Sequence, residues 1–198
     1  MTFDYHSEGF GIIPNYVDKQ YISLIRDYLS VRFNAGHAAS DATAPDVTLP
    51  NTIGIYCDPL ADTILARGVD VVSKFIGEEV LPTYSYSRLY AKGDLLNRHR
   101  DRPACEISIS LHIARPNNTG ISPLIFSHKQ DGSDGKYIFL DVGEAAIYNG
   151  IDVWHERPAF DQEWYMQMFL HYVRKNGPHA DCLLDGRPCL GYNENAKK

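Results

Sequence analysis

His99, Asp101 and His155 are the residues of this chain whose types and spacing point most directly to chemistry. His99 and Asp101 stand two apart in His99-Arg100-Asp101, and residues i and i+2 of a strand project to the same face. One face can therefore offer an imidazole and a carboxylate to a single metal ion. His155, in Val153-Trp154-His155-Glu156-Arg157, comes about one sheet-crossing later and can close the set. Two imidazoles and one carboxylate on one face leave the remaining positions open, the donor set of non-haem Fe(II) oxygenase sites. The bland alternative is a surface pair at His99 and Asp101 with His155 packed in a core. The metal reading needs a framework that brings residue 155 against residues 99–101.

The chain can supply such a framework. With 198 residues, 44% of them apolar, it is long enough for one well-packed domain. The formal charge of −6 is thinly spread and no basic run appears, which disfavours a dedicated nucleic-acid surface without excluding a nucleotide substrate. No window reaches the ~20 apolar residues that span a bilayer. The opening Met1-Thr2-Phe3-Asp4-Tyr5-His6 lacks the features of a signal peptide, so a cytoplasmic protein is expected. Cys57, Cys105, Cys182 and Cys189 show no disulfide framework. His179, Cys182 and Cys189 can in principle hold zinc, but the spacing misses the paired-knuckle patterns, and reduced thiols are the better reading.

Two helices and a run of strands are expected to do the positioning. Tyr21, Ile22, Ile25, Tyr28 and Leu29 recur at helical spacing after Pro14-Asn15, and residues 34–51 read as a loop. Asp62 is a candidate cap for a second helix carrying Leu65, Val69, Val72, Phe75 and Ile76, with Pro82 ending it. From Thr83 the character changes to short strands. Residues 84–90 form one, and residues 105–113 alternate, with Cys105, Ile107, Ile109, Leu111 and Ile113 on one face and Glu106, Ser108, Ser110 and His112 on the other. Further runs at 124–128, 136–140, 145–148 and 165–173 are separated by Gly and Asp turns. This describes an α+β chain with a mainly β core: helical support over 14–82, a jelly roll over 83–175 and a tail over 176–198, all in one domain.

Together, these pieces resemble the 2-oxoglutarate- and Fe(II)-dependent oxygenases, in particular the prolyl-4-hydroxylase-like branch. The segments that carry the resemblance run in order along most of the chain. They are Ile12-Ile13-Pro14-Asn15-Tyr16-Val17-Asp18, then Tyr90-Ala91-Lys92-Gly93-Asp94 with His99-Arg100-Asp101, then residues 141–150 leading to His155. The resemblance implies a double-stranded β-helix (cupin-like) fold flanked by N-terminal helices, with His99, Asp101 and His155 as metal ligands. It implies Fe(II), 2-oxoglutarate and O2 as cofactors and cosubstrates, and it allows ascorbate. The implied activity is a dioxygenase, most simply a hydroxylase, that couples 2-oxoglutarate decarboxylation to oxidation of a substrate C–H bond. The substrate would be a prolyl or other protein side chain, a peptide or a small molecule. Asp101 argues against the halogenase variant, which lacks that carboxylate.

The far carboxylate of 2-oxoglutarate needs a cationic or phenolic partner, because an unpaired buried carboxylate is costly. Members of the family usually supply Arg or Lys from the strand after the distal histidine, and Trp164-Tyr165-Met166-Gln167-Met168-Phe169-Leu170-His171 contains neither. Three replacements stand open. Tyr90 occupies the position of a cosubstrate-contacting tyrosine, Arg88 shares its face, and Arg157 lies two residues after His155 and can grip a carboxylate bidentately. Arg102 either orients Asp101, faces the substrate, or pairs with Glu106 or Asp94. His112 and His171 read as strand residues with hydrogen-bonded rings, His128 as exposed, and Trp154 as packing on an outer face. Two other functions remain consistent with the residues: a jelly-roll binding module without turnover, and a cupin-type metalloenzyme that does not use 2-oxoglutarate.

Overall fold

The structure, a computed structural model, describes residues 3–35, 47–48, 52–116, 122–159 and 161–192. A one-turn helix α1 (Tyr5–Glu8) and strand β1 (Phe10–Ile13) lead to helix α2 (Lys19–Asn34), capped by the Asp18 carboxylate accepting from Gln20 N. Most of the loop expected over 34–51 lies outside the described residues; within it, Val47–Thr48 forms β2. Strand β3 (Ile53–Tyr56) precedes helix α3 (Pro59–Ile76).

The cap of α3 is Asp58, not Asp62. Asp58 accepts from Leu60 N at 2.9 Å, and Pro59 fills the first helical position, where its missing N–H is no loss. Asp62 sits inside the helix, buried, and receives Ser85 and Arg187. The stop also differs: Gly77, left-handed at φ 76, closes α3 through its N–H to Ser73 O, and Pro82 lies within a strand.

Beyond α3 come β4 (Val80–Ala91), β5 (Leu95–His99), β6 (Ile107–Ala114), β7 (Leu124–Ser127), β8 (Lys136–Ile138), β9 (Ala145–Asn149), β10 (Trp154–Arg157) and β11 (Trp164–Arg174). They roll into two antiparallel sheets ordered β1-β9-β6-β11-β4-β3 and β2-β5-β10-β7-β8. The chain crosses between the sheets as it winds, which is the double-stranded β-helix. Strands from before residue 83 thus extend both sheets: β1 pairs with β9, β3 with β4, and β2 with β5.

The helices define which face of the six-stranded sheet is apolar. Ile22, Ile25, Leu29 and Phe33 of α2 and Leu65, Val72 and Ile76 of α3 pack with Ile107, Ile109, Leu111, Ile113, Met166, Met168 and Leu170. All of β6 is nonetheless buried, so its other face is buried too. Ser108, Ser110 and His112 of β6, with Tyr165, Gln167, Phe169 and His171 of β11, therefore line the inside of the roll.

Candidate active site

Register brings the two histidines together. Antiparallel pairing of β10 with β5 sets His155 opposite His99, with ring centroids 4.3 Å apart. Each ring turns its Nδ1 to a backbone carbonyl two residues earlier, His99 to Asn97 O at 2.8 Å and His155 to Val153 O at 3.0 Å. A carbonyl only accepts, so Nδ1–H is the donor in both rings and each Nε2 is left facing the site.

Asp101 completes the cluster from outside the strand. The i, i+2 expectation has the right outcome for another reason: β5 stops at His99, and Pro103 opens a 3-10 turn. The segment is held instead by Asp101 N donating to Gly150 O at 2.8 Å and by Ser108 Oγ donating to Asp101 Oδ2 at 3.1 Å. Asp101 Oδ1 then lies 3.5 Å from His99 Nε2 and 3.4 Å from His155 Nε2. Burial alone would raise the carboxyl's pKa, but the facing His155 and His99 rings outweigh it and hold Asp101 well below the usual carboxylate range. Two ring nitrogens and one ionised oxygen at this spacing fit one divalent ion bonded at about 2.1 Å to each.

Behind Asp101, Ser108 Oγ also meets His171 Nδ1 at 2.9 Å. Burial depresses the His171 pKa to about 4, so the ring is neutral. Among the described residues, metal-ligand atoms gather in only two groups: His99, Asp101 and His155, and Asp101, Cys105 and His171. His179, Cys182 and Cys189 form no such group, and all four thiols are unpaired.

Deeper in the roll, the three candidates for gripping a carboxylate converge. Arg157, on the last residue of β10, is 1% exposed. Its Nη1 donates to Ser122 O at 2.8 Å and its Nη2 to Gln167 Oε1 at 2.7 Å, while its guanidinium lies over the rings of Tyr165 (4.9 Å) and Tyr90 (5.4 Å). Every one of these partners is neutral, and Nε makes no hydrogen bond. Arg88 approaches Tyr90 from β4, with Nη1 donating to the Tyr90 hydroxyl at 3.1 Å and the guanidinium 5.4 Å from the ring. Tyr90 thus stands between two buried guanidinium groups. Gln167, which the sequence did not single out because Arg and Lys are the types expected on that strand, bridges Arg157 to Ser110 Oγ. The one available signal was a polar residue inside an otherwise apolar run.

The remaining polar residues settle as follows. Arg102 pairs with neither Glu106 nor Asp94: Glu106 accepts from Arg174, Asp94 from Thr52 and from Ala91 N, and Arg102 grips Asp185 of the tail. His112 is buried with Nδ1 on Leu140 O, and His128 is exposed. Trp154, half-buried, carries the Arg100 guanidinium on its ring at 4.8 Å.

The chain has the double-stranded β-helix fold found in the 2-oxoglutarate- and Fe(II)-dependent oxygenases. Among solved structures it is similar to a Pseudomonas putida prolyl-4-hydroxylase (17% identity, TM-score 0.64, 86% of this chain and 95% of that one). It is similar as well to the non-haem α-ketoglutarate-dependent epimerase SnoN of nogalamycin biosynthesis (11% identity, TM-score 0.69, 96% and 89% covered). A third is HygX of Streptomyces hygroscopicus, solved with nickel, 2-oxoglutarate and hygromycin B (13% identity, TM-score 0.62, 87% and 85% covered). At these identities the likeness is one of fold. No family model matches the chain, and no curated protein matches it by sequence. No helix among the described residues is long and apolar enough to cross a membrane.

Proposed function

We propose that this protein is a Fe(II)- and 2-oxoglutarate-dependent dioxygenase, acting as a hydroxylase on a protein side chain, peptide or small molecule. One observation carries the reading. The same short strand, β10, supplies His155 to a facial donor set and, two residues on, a buried Arg157 with only neutral partners. A buried guanidinium without a counter-ion is unfavourable unless an anion joins it. A dicarboxylate that reaches both the ion and Arg157 meets both demands.

In this reading His99, Asp101 and His155 would hold Fe(II), with the Nδ1 atoms of the two histidines fixed on carbonyls so that their rings cannot swing. Arg157, assisted by the Tyr90 hydroxyl and by Arg88, binds the far carboxylate of 2-oxoglutarate. When bound, iron and 2-oxoglutarate supply the coupling of O2 and decarboxylation to C–H oxidation. The protein's part is to orient the cosubstrate and exclude water: Gln167 fixes the Arg157 fork, and the Tyr90 and Tyr165 rings wall it off from solvent.

The test is release of succinate from 2-oxoglutarate under Fe(II) and air. The parent should produce it, and Asp101→Ala, which removes the only carboxylate of the donor set, should reduce it at least a hundredfold while the far-ultraviolet circular dichroism stays the same. Equal turnover in both proteins would exclude the ligand assignment; no turnover in the parent would leave a binding barrel.

A further inference from the structure

Between the end of β11 and the described C-terminus, the chain packs back against β4 and the Pro103–Cys105 turn and brings a carboxylate to the residue after Asp101. Arg102 Nη1 donates to Asp185 Oδ1 and Nη2 to Asp185 Oδ2, both at 2.7 Å, and the Tyr56 hydroxyl donates to Oδ2 as well. Two parallel bonds from one planar guanidinium, plus a phenol, form a fork that selects carboxylates by shape. Its floor is the Tyr84 ring, 4.6 Å from the Arg102 guanidinium. Tyr84 lies tilted against His171 at 4.4 Å, and His171 leads through Ser108 to Asp101. A chain of side-chain contacts therefore links the fork to the proposed metal centre.

We propose that Arg102, Tyr56 and Tyr84 form a binding site for an acidic group of the substrate, and that Asp185 of the chain itself occupies this site until the substrate's carboxylate replaces it. The proposal rests on the oxygenase reading for the word substrate, and on the geometry alone for the anion site.

Two features make Asp185 a replaceable occupant. The segment bearing it is tied down at both ends: Arg174 N and Nη1 donate to Glu106 at 2.8 and 2.7 Å, and Arg187 Nη1 and Gly191 N both donate to Asp62 Oδ2 at 2.7 Å. Both anchoring carboxylates are buried. The central contact differs: the Arg102 side chain is 50% exposed, so water competes for it. The backbone also resists its own position. Leu184 (φ 54) and Asp185 (φ 53) lie consecutively in the left-handed region, which non-glycine residues disfavour. A tethered segment held over a disfavoured backbone by a half-exposed guanidinium and one phenol can yield to an external carboxylate without unfolding its anchors.

The probe is benzoate, whose carboxylate matches the fork and whose ring can lie beside Tyr56 and Tyr84. It is titrated by NMR into the full-length protein without iron. Asp185→Asn removes the competing charge while keeping a residue that tolerates the left-handed backbone. It should bind benzoate at least tenfold more tightly than the parent and exchange its amides over 181–186 faster. The double variant Asp185→Asn/Arg102→Gln should lose the gain. Any benzoate bound at Arg157 is common to all three proteins and cancels in the comparison. Equal affinity in parent and Asp185→Asn, or a gain that survives Arg102→Gln, overturns the site. Should Asp185→Asn not fold, saturating shifts of the Tyr56 and Tyr84 ring protons in the parent support the site, and rings that stay unmoved refute it. Because no turnover is involved, failure here leaves the oxygenase reading to stand or fall separately on succinate release.

Discussion

Gly150 shows how narrowly Asp101 is seated. A Cβ at position 150 would stand 2.4 Å from Asp101 Oδ2 and 2.3 Å from Cys105 O, and the latter is backbone that cannot step aside. Gly150→Ala should therefore displace the carboxylate and weaken Mn(II) binding at least tenfold by calorimetric titration; unchanged affinity would mean that Asp101 has slack in its seat. At the other end of the pocket, Arg157→Ala removes the buried cation whose neutral partners left it awaiting an anion. A charged hydrogen bond is worth about 1.5–3 kcal/mol, so the 2-oxoglutarate concentration for half-maximal succinate release should rise about 10- to 100-fold. The maximal rate should fall less. An unchanged requirement would transfer the role to Arg88 or Tyr90. The three candidate grips were each visible as residue types; that two guanidiniums bracket one tyrosine ring was not, because β4 and β10 belong to different sheets.

At the scale of elements, β6 couples the roll's interior to pH. His112 is fully buried, stacked on Tyr165 at 4.3 Å, with Nδ1 on Leu140 O. Burial is the main cause of a pKa depressed from 6.5 to about 4. Below pH 6.5 the unfolded chain takes up a proton that the folded one refuses, so stability falls as pH drops and stops falling near pH 4. The loss from this residue is roughly 3 kcal/mol across that window. His112→Phe keeps the ring stack, and Leu140 O keeps Arg115 as a donor. Denaturation of this variant between pH 6.5 and 4 should show a shallower slope, by up to about 1.4 kcal/mol per pH step of one; an equal slope would place the titration elsewhere. Element type was legible where periodicity is strong: both helices, and the alternation in β6. Boundaries were less so. Asp58-Pro59 lies one turn before the expected cap at Asp62, because an aspartate in the first turn resembles a cap in sequence while only backbone geometry separates the two.

For the whole molecule, the apolar cluster between helices and the six-stranded sheet is separate from the donor set, which draws on β5, β10 and the connection after β5. Metal should thus add to stability without being needed for folding. At 100 times its dissociation constant, Mn(II) should stabilise the native state by about 2.7 kcal/mol, raising the melting temperature by about 5–10 °C. A chain that unfolds on chelation would show the donors to be structural.

Residue identity and order along the chain were sufficient to place the two helices and the strand-rich second half, which depend on local spacing, and to propose the donor set. They could not determine which face of each strand is enclosed. Alternation in β6 marks two faces but not their surroundings, and an isolated strand would put Ile107, Ile109 and Leu111 toward a core and Ser108, Ser110 and His112 toward water. Only the closure of two sheets, with helices claiming the apolar face, turns the polar face inward and converts serines, histidines and a glutamine into the lining of the roll's interior. The partners of Arg157, Arg102 and Asp101 were fixed at that stage too, because each lies on a separate element that only the rolled sheet brings within reach.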